Sequence, residues 1–221
     1  MKLALFASLA LLFTTCGGGP YSMRTVMPAA PLGPASADSA QIVFACDTDD
    51  HVVSFVDEDG RFLGQVRERS WMAVNVEPGD HRFIALVDAS AVRIDAHVEA
   101  GRTYFVLAER LFARGFQLRA IKRGSERWIL RSRYLGHEHV EIDPEHDAQI
   151  LRTQLGDVPQ RILEGDREWE RLTDTERRAR TLDITDGVIG DPMGESGGPG
   201  EVVVPIGEAP RTETSGGAAT E

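Results

Sequence analysis

The sequence predicts a mostly β fold: a small antiparallel β-sandwich followed by a short helical appendage, set between a disordered N-terminal tether and a disordered C-terminal tail. Three observations predict it. Between residues 41 and 123, seven or eight short segments alternate apolar and polar residues with the period of two that a strand requires. Turn sequences separate them at regular intervals: Asp57-Glu58-Asp59-Gly60, Glu77-Pro78-Gly79-Asp80 and Ala100-Gly101. Both ends of the chain are rich in Gly, Pro, Ala and Ser, a composition that buries too little apolar surface to offset the entropy of ordering.

Residues 1–15 read as a signal peptide. Met1-Lys2 carries one positive side chain, and Leu3 to Phe13 is almost purely apolar. That run has the length of a signal-peptide apolar region and is too short to span a bilayer. It ends in Thr14-Thr15-Cys16. This resembles the lipobox of bacterial lipoproteins, in which the cysteine becomes the first mature residue and carries the lipid. Phe13 and Thr15 depart from the usual Leu and from the usual Gly, Ala or Ser. The resemblance implies lipidation at Cys16, and several acyl chains on one residue anchor stably where one is marginal. Residues 16–40 then read as the lipidated cysteine and a flexible linker, Gly17-Gly18-Gly19 followed by a stretch carrying Pro20, Pro28, Pro31 and Pro34. Gly17-Gly18 lacks the Asp associated with retention at the inner membrane, which points to the outer membrane facing the periplasm.

Residues 41–123 form the predicted sandwich. Strands are expected over Gln41–Cys46, Val52–Val56, Arg61–Val66, from Trp71 to Val76, His81–Val87, Val92–Val98, Thr103–Leu107 and Gln117–Ile121. The cleanest alternation puts Val92, Ile94, Ala96 and Val98 on one face. Phe44, Phe55, Phe62, Trp71, Phe83, Ile94, Tyr104 and Leu118 are the expected core between two sheets. The stretches VSFVDEDGRFLGQV, VNVEPGDHRFIAL and VEAGRTYFVLA resemble the PEGA-type family of small envelope β-domains and lipoprotein domains of unknown function built on the same plan. The resemblance covers about residues 41–122. It rests on turn and core residues, so it implies a fold and no catalytic residue.

Residues 124–182 read as a helical appendage. Asp143-Pro144 has the form of an N-cap with proline at the first helical position, followed by Ile150, Leu151 and Leu155. Gly156 reads as a stop and Asp157 as the next N-cap, ahead of Val158, Ile162, Trp169 and Leu172 at helical spacing. Thr173-Asp174-Thr175-Glu176 is a capping-box pattern. Residues 183–221 read as a disordered acidic tail, with Val202-Val203-Val204 a candidate edge strand. Net charge is −11, and the tail holds eight acidic residues against Arg211 alone. No long basic run appears, which argues against nucleic-acid binding.

Few motifs carry chemistry. Lipidation of Cys16 would leave Cys46 without a disulfide partner, and the apolar run around Cys46 predicts a buried, inert thiol. In GHEHVEIDPEH, a strand would place His137, His139 and Glu141 on one face, with His146 just beyond. Two imidazoles and a carboxylate suit Zn²⁺ or Cu²⁺, although the arrangement differs from the zincin helix motif. The alternative is a solvated polar strand. GESGGP resembles the nucleophile motif of trypsin-like serine proteases, which implies Ser196 as nucleophile, but no histidine loop accompanies it and the chain is too short for two barrels. Asp47, Asp49 and Asp50 make a charged loop lacking the ligand spacing of a Ca²⁺ site. No phosphate-binding loop, dinucleotide fingerprint or hydrolase elbow is present, so no cofactor is expected. The sequence therefore predicts a non-enzymatic lipoprotein, anchored in the cell envelope, that binds or scaffolds an envelope protein or a cell-wall glycan. The alternative is a periplasmic metal-binding protein using the His137/His139 cluster.

Overall fold

Two β-sheets pack face to face in a computed structural model that describes residues 23–26, 32–48, 51–111, 115–142 and 155–192. The strands are β1 (Met23–Thr25), β2 (Ala40–Asp47), β3 (Val53–Asp57), β4 (Phe62–Val66), β5 (Ser70–Val76), β6 (Gly79–Val87), β7 (Ser90–Val98), β8 (Arg102–Leu111), β9 (Gly115–Ala120), β10 (Glu138–Ile142), β11 (Thr181–Leu182) and β12 (Val188–Ile189). Three α-helices are described, α1 (Glu126–Leu135), α2 (Val158–Arg171) and α3 (Asp174–Ala179). The first sheet runs β1-β10-β5-β2-β8, with β12 and β9 both pairing to the far edge of β8; the second runs β11-β7-β6-β3-β4.

The fold is the mostly β sandwich expected, with one correction. The sheets are mixed rather than antiparallel: β2 runs parallel to β8, β5 to β10 and β7 to β11. Period-two patterning assigns side chains to faces but is identical for both strand directions. Hairpin turns settle direction only for neighbours in sequence, such as β6 and β7.

The predicted turns form as their residues require. The Asp57 carboxylate accepts from the backbone N–H groups of Asp59 (3.1 Å) and Arg61 (2.8 Å), and Gly60 supplies the positive φ of 77°. Between the sheets lie Ile42, Phe44, Phe55, Phe83, Ile94, Tyr104 and Leu118, all fully buried. Val92, Ile94, Ala96 and Val98 share that core, as their alternation predicts. Phe44 meets Phe55 and Phe83 at ring separations of 4.2 and 5.6 Å.

Phe62 and Trp71 are exceptions to the expected core. Both belong to outer faces, which the helices cover. Trp128 and Tyr134 of α1 pack with Val43, Trp71, Phe105 and Leu107 on the outside of the first sheet. Val158 and Ile162 of α2 pack with Phe62, Val56, Ile84 and Leu86 on the outside of the second. Helices α1 and α2 thus form outer layers of the sandwich. This explains why β2 is apolar from Ile42 to Cys46: Ile42, Phe44 and Cys46 face the core while Val43 and Ala45 face α1.

The helix signals hold where they are described. Asp157 caps α2 by accepting from the Gln160 N–H (3.2 Å), and Thr173 and Glu176 form the capping box of α3. Gly165 sits mid-helix, where a Cβ would come within 3.4 Å of Ile84, so its small size lets α2 lie close on β6. Asp166 accepts from Arg82 (3.1 Å) and Arg93 (3.0 Å), and Arg93 also pairs with Asp95 and lies over Trp169. The helix expected after Asp143-Pro144 and the strand at Val202–Val204 lie outside the described residues.

Two expected boundaries move. Residues 23–26 and 32–40, read as linker, belong to the fold, with Met23 and Leu32 buried. Residues 183–192, read as tail, form a strap. The Lys122 ammonium pairs with Asp183 and Asp186, Val188 pairs with Thr103, and buried Arg131 donates to the Pro192 carbonyl at 3.2 Å. Long-range ion pairs and backbone pairing of this kind leave no periodic trace in a short Gly-containing segment.

Candidate functional site

The histidine segment lies at the junction of α1 and β10, on the outer side of the first sheet. Gly136 ends α1, its N–H donating to Ser132 O (3.0 Å) and Arg133 O (3.2 Å). The chain then turns, and the Glu138 N–H donates to Arg69 O at 2.9 Å, opening the parallel pairing of β10 with β5. This register sets His139 beside Trp71. The two rings stack, centroids 3.9 Å apart and planes within 4°. The Trp71 Nε1–H donates to the His137 carbonyl at 3.2 Å.

β10 begins at Glu138, so His137 precedes the strand and only His139 and Glu141 of the expected face lie within it. Val140 enters the core between the sheets, His139 lies against Trp71, and Glu141 is exposed. Between the two histidines, Glu138 turns to the sheet edge, where Thr25 donates to one carboxylate oxygen and Arg67 pairs with the other at 3.0 Å. The Thr25 hydroxyl, then Arg67, hold the Glu138 carboxyl below its usual range.

Burial pushes both imidazoles toward the neutral form. For His137 the Asp47 carboxylate opposes this, while Arg133 and Arg69 reinforce it; for His139 Glu141 opposes it. The Nδ1 atoms of both rings are buried and have no hydrogen-bond partner among the described residues. Neutral imidazole nitrogens without partners are the form a metal takes. Yet among the described residues no three His, Cys, Asp or Glu side chains come together in a metal-ligating group. His139 is held flat on Trp71, and His146 lies outside the described residues.

Other expected sites divide in the same way. Cys46 is buried between the sheets, its Sγ hydrogen-bonded with Thr48 Oγ1 at 3.1 Å. Burial pushes its thiol up to about 11, against the opposing Thr48 contact, so the nucleophilic thiolate is disfavoured at neutral pH. Cys16, Ser196, Asp49 and Asp50 lie outside the described residues.

The sequence reading missed a groove on the opposite outer face. It has a volume of about 450 Å³ and lies between the β3–β4 turn and α2, lined by Glu58, Asp59, Gly60, Val158, Ile162 and Leu163. Its floor is apolar, its rim acidic, and Leu163 is half exposed. The partnership of Trp71 with His139 was missed as well. A signal was present: Met72, Val74 and Val76 share the core face of β5, which leaves Trp71 to the other. No helix among the described residues is long and apolar enough to cross a membrane. No family model matches the chain, and no curated protein matches it significantly.

Proposed function

We propose that the chain is a lipoprotein of a bacterial cell envelope, anchored through Cys16 in the outer membrane facing the periplasm. Its non-enzymatic β-sandwich binds or scaffolds an envelope protein or a cell-wall glycan. The observation that carries this reading is the apolar run Leu3–Phe13 closing on Cys16, seven residues before the first described strand begins at Met23. Two further features support it: the turn and core pattern over residues 41–122, and the unreactive environment of Cys46. The intact mass of the protein purified from native membranes is the test. An acylated chain starting at Cys16 is expected; an unmodified chain starting elsewhere would overturn the anchor. Pull-down from native membranes and retention on cell-wall glycan test the partner, and the absence of both would remove the scaffold reading.

A second reading is favoured by the two Nδ1 atoms that lack a hydrogen-bond partner among the described residues: metal binding by His137 and His139, with Glu141 or His146 completing the set. Calorimetric titration with Zn²⁺ and Cu²⁺ tests it. Binding abolished by His137→Ala with His139→Ala would support it, and unchanged binding would end it.

A further inference from the structure

Helix α1 presents an unusual outer face. Its inner side chains are Trp128, Arg131 and Tyr134, all buried. The outer side chains follow helical spacing: Glu126, Ile129, Leu130 and Arg133. A solvent-facing stripe of a surface helix is ordinarily polar. Here Ile129 is 73% exposed and Leu130 42%, side by side at the centre of the stripe.

The charges around this pair are sorted. Arg127 is turned to Glu109, and Arg131 is buried over the Trp128 ring. Arg133 remains exposed, one turn beyond Ile129. Arg69, with its side chain 77% exposed, and Arg133 both act electrostatically on His137, which places the two guanidiniums at the same end of α1. The carboxylates nearby are Glu68, 3.7 Å from Arg69, Asp47 beside His137, Glu138 and Glu109, which are paired with Arg67 and Arg127, and Glu126 at the opposite end of the helix.

The last residues of β1 lie at that end too, while Met23, where the strand starts, pairs with Ile142 at the other end of β10. β1 pairs with β10, which follows α1 directly, and the Val26 N–H donates to His139 O at 2.9 Å. From Cys16 to Met23 the chain spans at most about 24 Å, at roughly 3.4 Å per residue. Residues 23–26 belong to the first sheet, so the tether is far shorter than a linker running to residue 40. An anchor at Cys16 would hold the β1 edge of the first sheet, the sheet that carries α1, close to the bilayer.

We propose that the outer face of α1 rests on an anionic lipid surface, Ile129 and Leu130 entering the headgroup boundary and Arg133 and Arg69 contacting lipid phosphates. An exposed aliphatic pair flanked by arginines suits this interface, because apolar burial and attraction to anionic headgroups act together. This inference rests on the lipid-anchored reading for its orientation, while its chemistry belongs to α1 alone.

The experiment uses the mature chain 16–221 carrying Cys16→Ser, which retains every described residue and removes the acyl anchor. Its partitioning is measured by flotation with vesicles of phosphatidylethanolamine and phosphatidylglycerol, and with vesicles of phosphatidylcholine. Binding to the anionic vesicles is expected. Ile129→Asp with Leu130→Asp should lower the partition coefficient at least about tenfold, and Arg133→Glu about fivefold or more, with a weaker salt dependence. These positions are exposed, so the fold is retained. Absence of binding by the parent chain, or equal binding by parent and double variant, overturns the proposal. A concentration-dependent dimer dissolved by Ile129→Asp would assign the face to a second copy and overturn it too. Failure of the anchor is read separately: an unacylated Cys16 in the native protein removes the anchored reading and leaves the vesicle result standing.

Discussion

The imidazole of His139 lies flat on the indole of Trp71, 3.9 Å between ring centroids. This contact joins the strand after α1 to the centre of the first sheet, and it buries an ionisable ring against an apolar one. Its consequence is a pH dependence. Burial lowers the folded-state pKa of both His139 and His137 below the ordinary value near 6.5. The unfolded chain therefore binds more protons than the folded chain between those two values. Stability is fully present above about pH 6.5 and declines as pH falls toward the folded pKa values. Urea unfolding at pH 7.5 and pH 5.5 should show a lower midpoint at the acid pH, and His137→Gln with His139→Gln should shrink the difference. An unchanged difference in the double variant would locate the effect elsewhere.

Glu138 acts in a separate, more acidic window. Its folded pKa is depressed by Thr25 and Arg67, so its contribution is present above the ordinary carboxyl value of 4.5 and is lost as pH falls through the folded value. Thr25→Val should weaken β1 pairing and flatten stability below about pH 4.5. Amide hydrogen exchange at Arg24 to Val26 reports the pairing directly; unchanged protection there would count against this role.

The strap over residues 183–192 depends on the absence of a side chain at Gly187. A Cβ there would lie 2.6 Å from Tyr104 Cζ and 2.9 Å from Arg102 Cβ. Tyr104 is fully buried, and its hydroxyl accepts from the Glu99 N–H at 2.9 Å, so it has little room to yield. Gly187→Ala should destabilise by about 1–3 kcal/mol through overpacking. The backbone φ of −77° is ordinary for alanine, so a loss in thermal midpoint would report crowding alone. An unchanged midpoint would mean that the strap shifts freely.

Asp166 fastens α2 to two strands at once, through Arg82 and Arg93. Asp166→Ala leaves Arg93 with Asp95 but removes the described partner of Arg82. A loss of about 1–2 kcal/mol is expected, less than for a fully buried pair because these side chains retain solvent contact. Urea denaturation measures it, and high salt should reduce the gap between parent and variant.

Cys46 should be silent to thiol reagents in the folded protein. Its burial between the sheets and its raised pKa, about 11, both oppose thiolate attack. Ellman's reagent should label it only in denaturant. Rapid labelling under native conditions would show that the sandwich opens locally at β2.

Much of the fold was legible because its signals are local. Alternation in Val92–Val98 reports the face that a strand buries, and Asp57-Glu58-Asp59-Gly60 reports a turn closed within four residues. Asp157 and Thr173 each satisfy backbone donors a few positions away. None of these signals names a distant partner. The parallel pairing of β2 with β8, the indole that His139 meets, and the strap held by Lys122 and Arg131 all arise between segments far apart in sequence. Helical cover on the outer faces then reassigned Trp71 and Phe62: alternation separates the two faces of a strand, but only the helices packed outside show that the outer face is buried as well. Local hydrogen bonding and periodicity determine elements; only the packing of those elements decides neighbours, layers and the composition of a site.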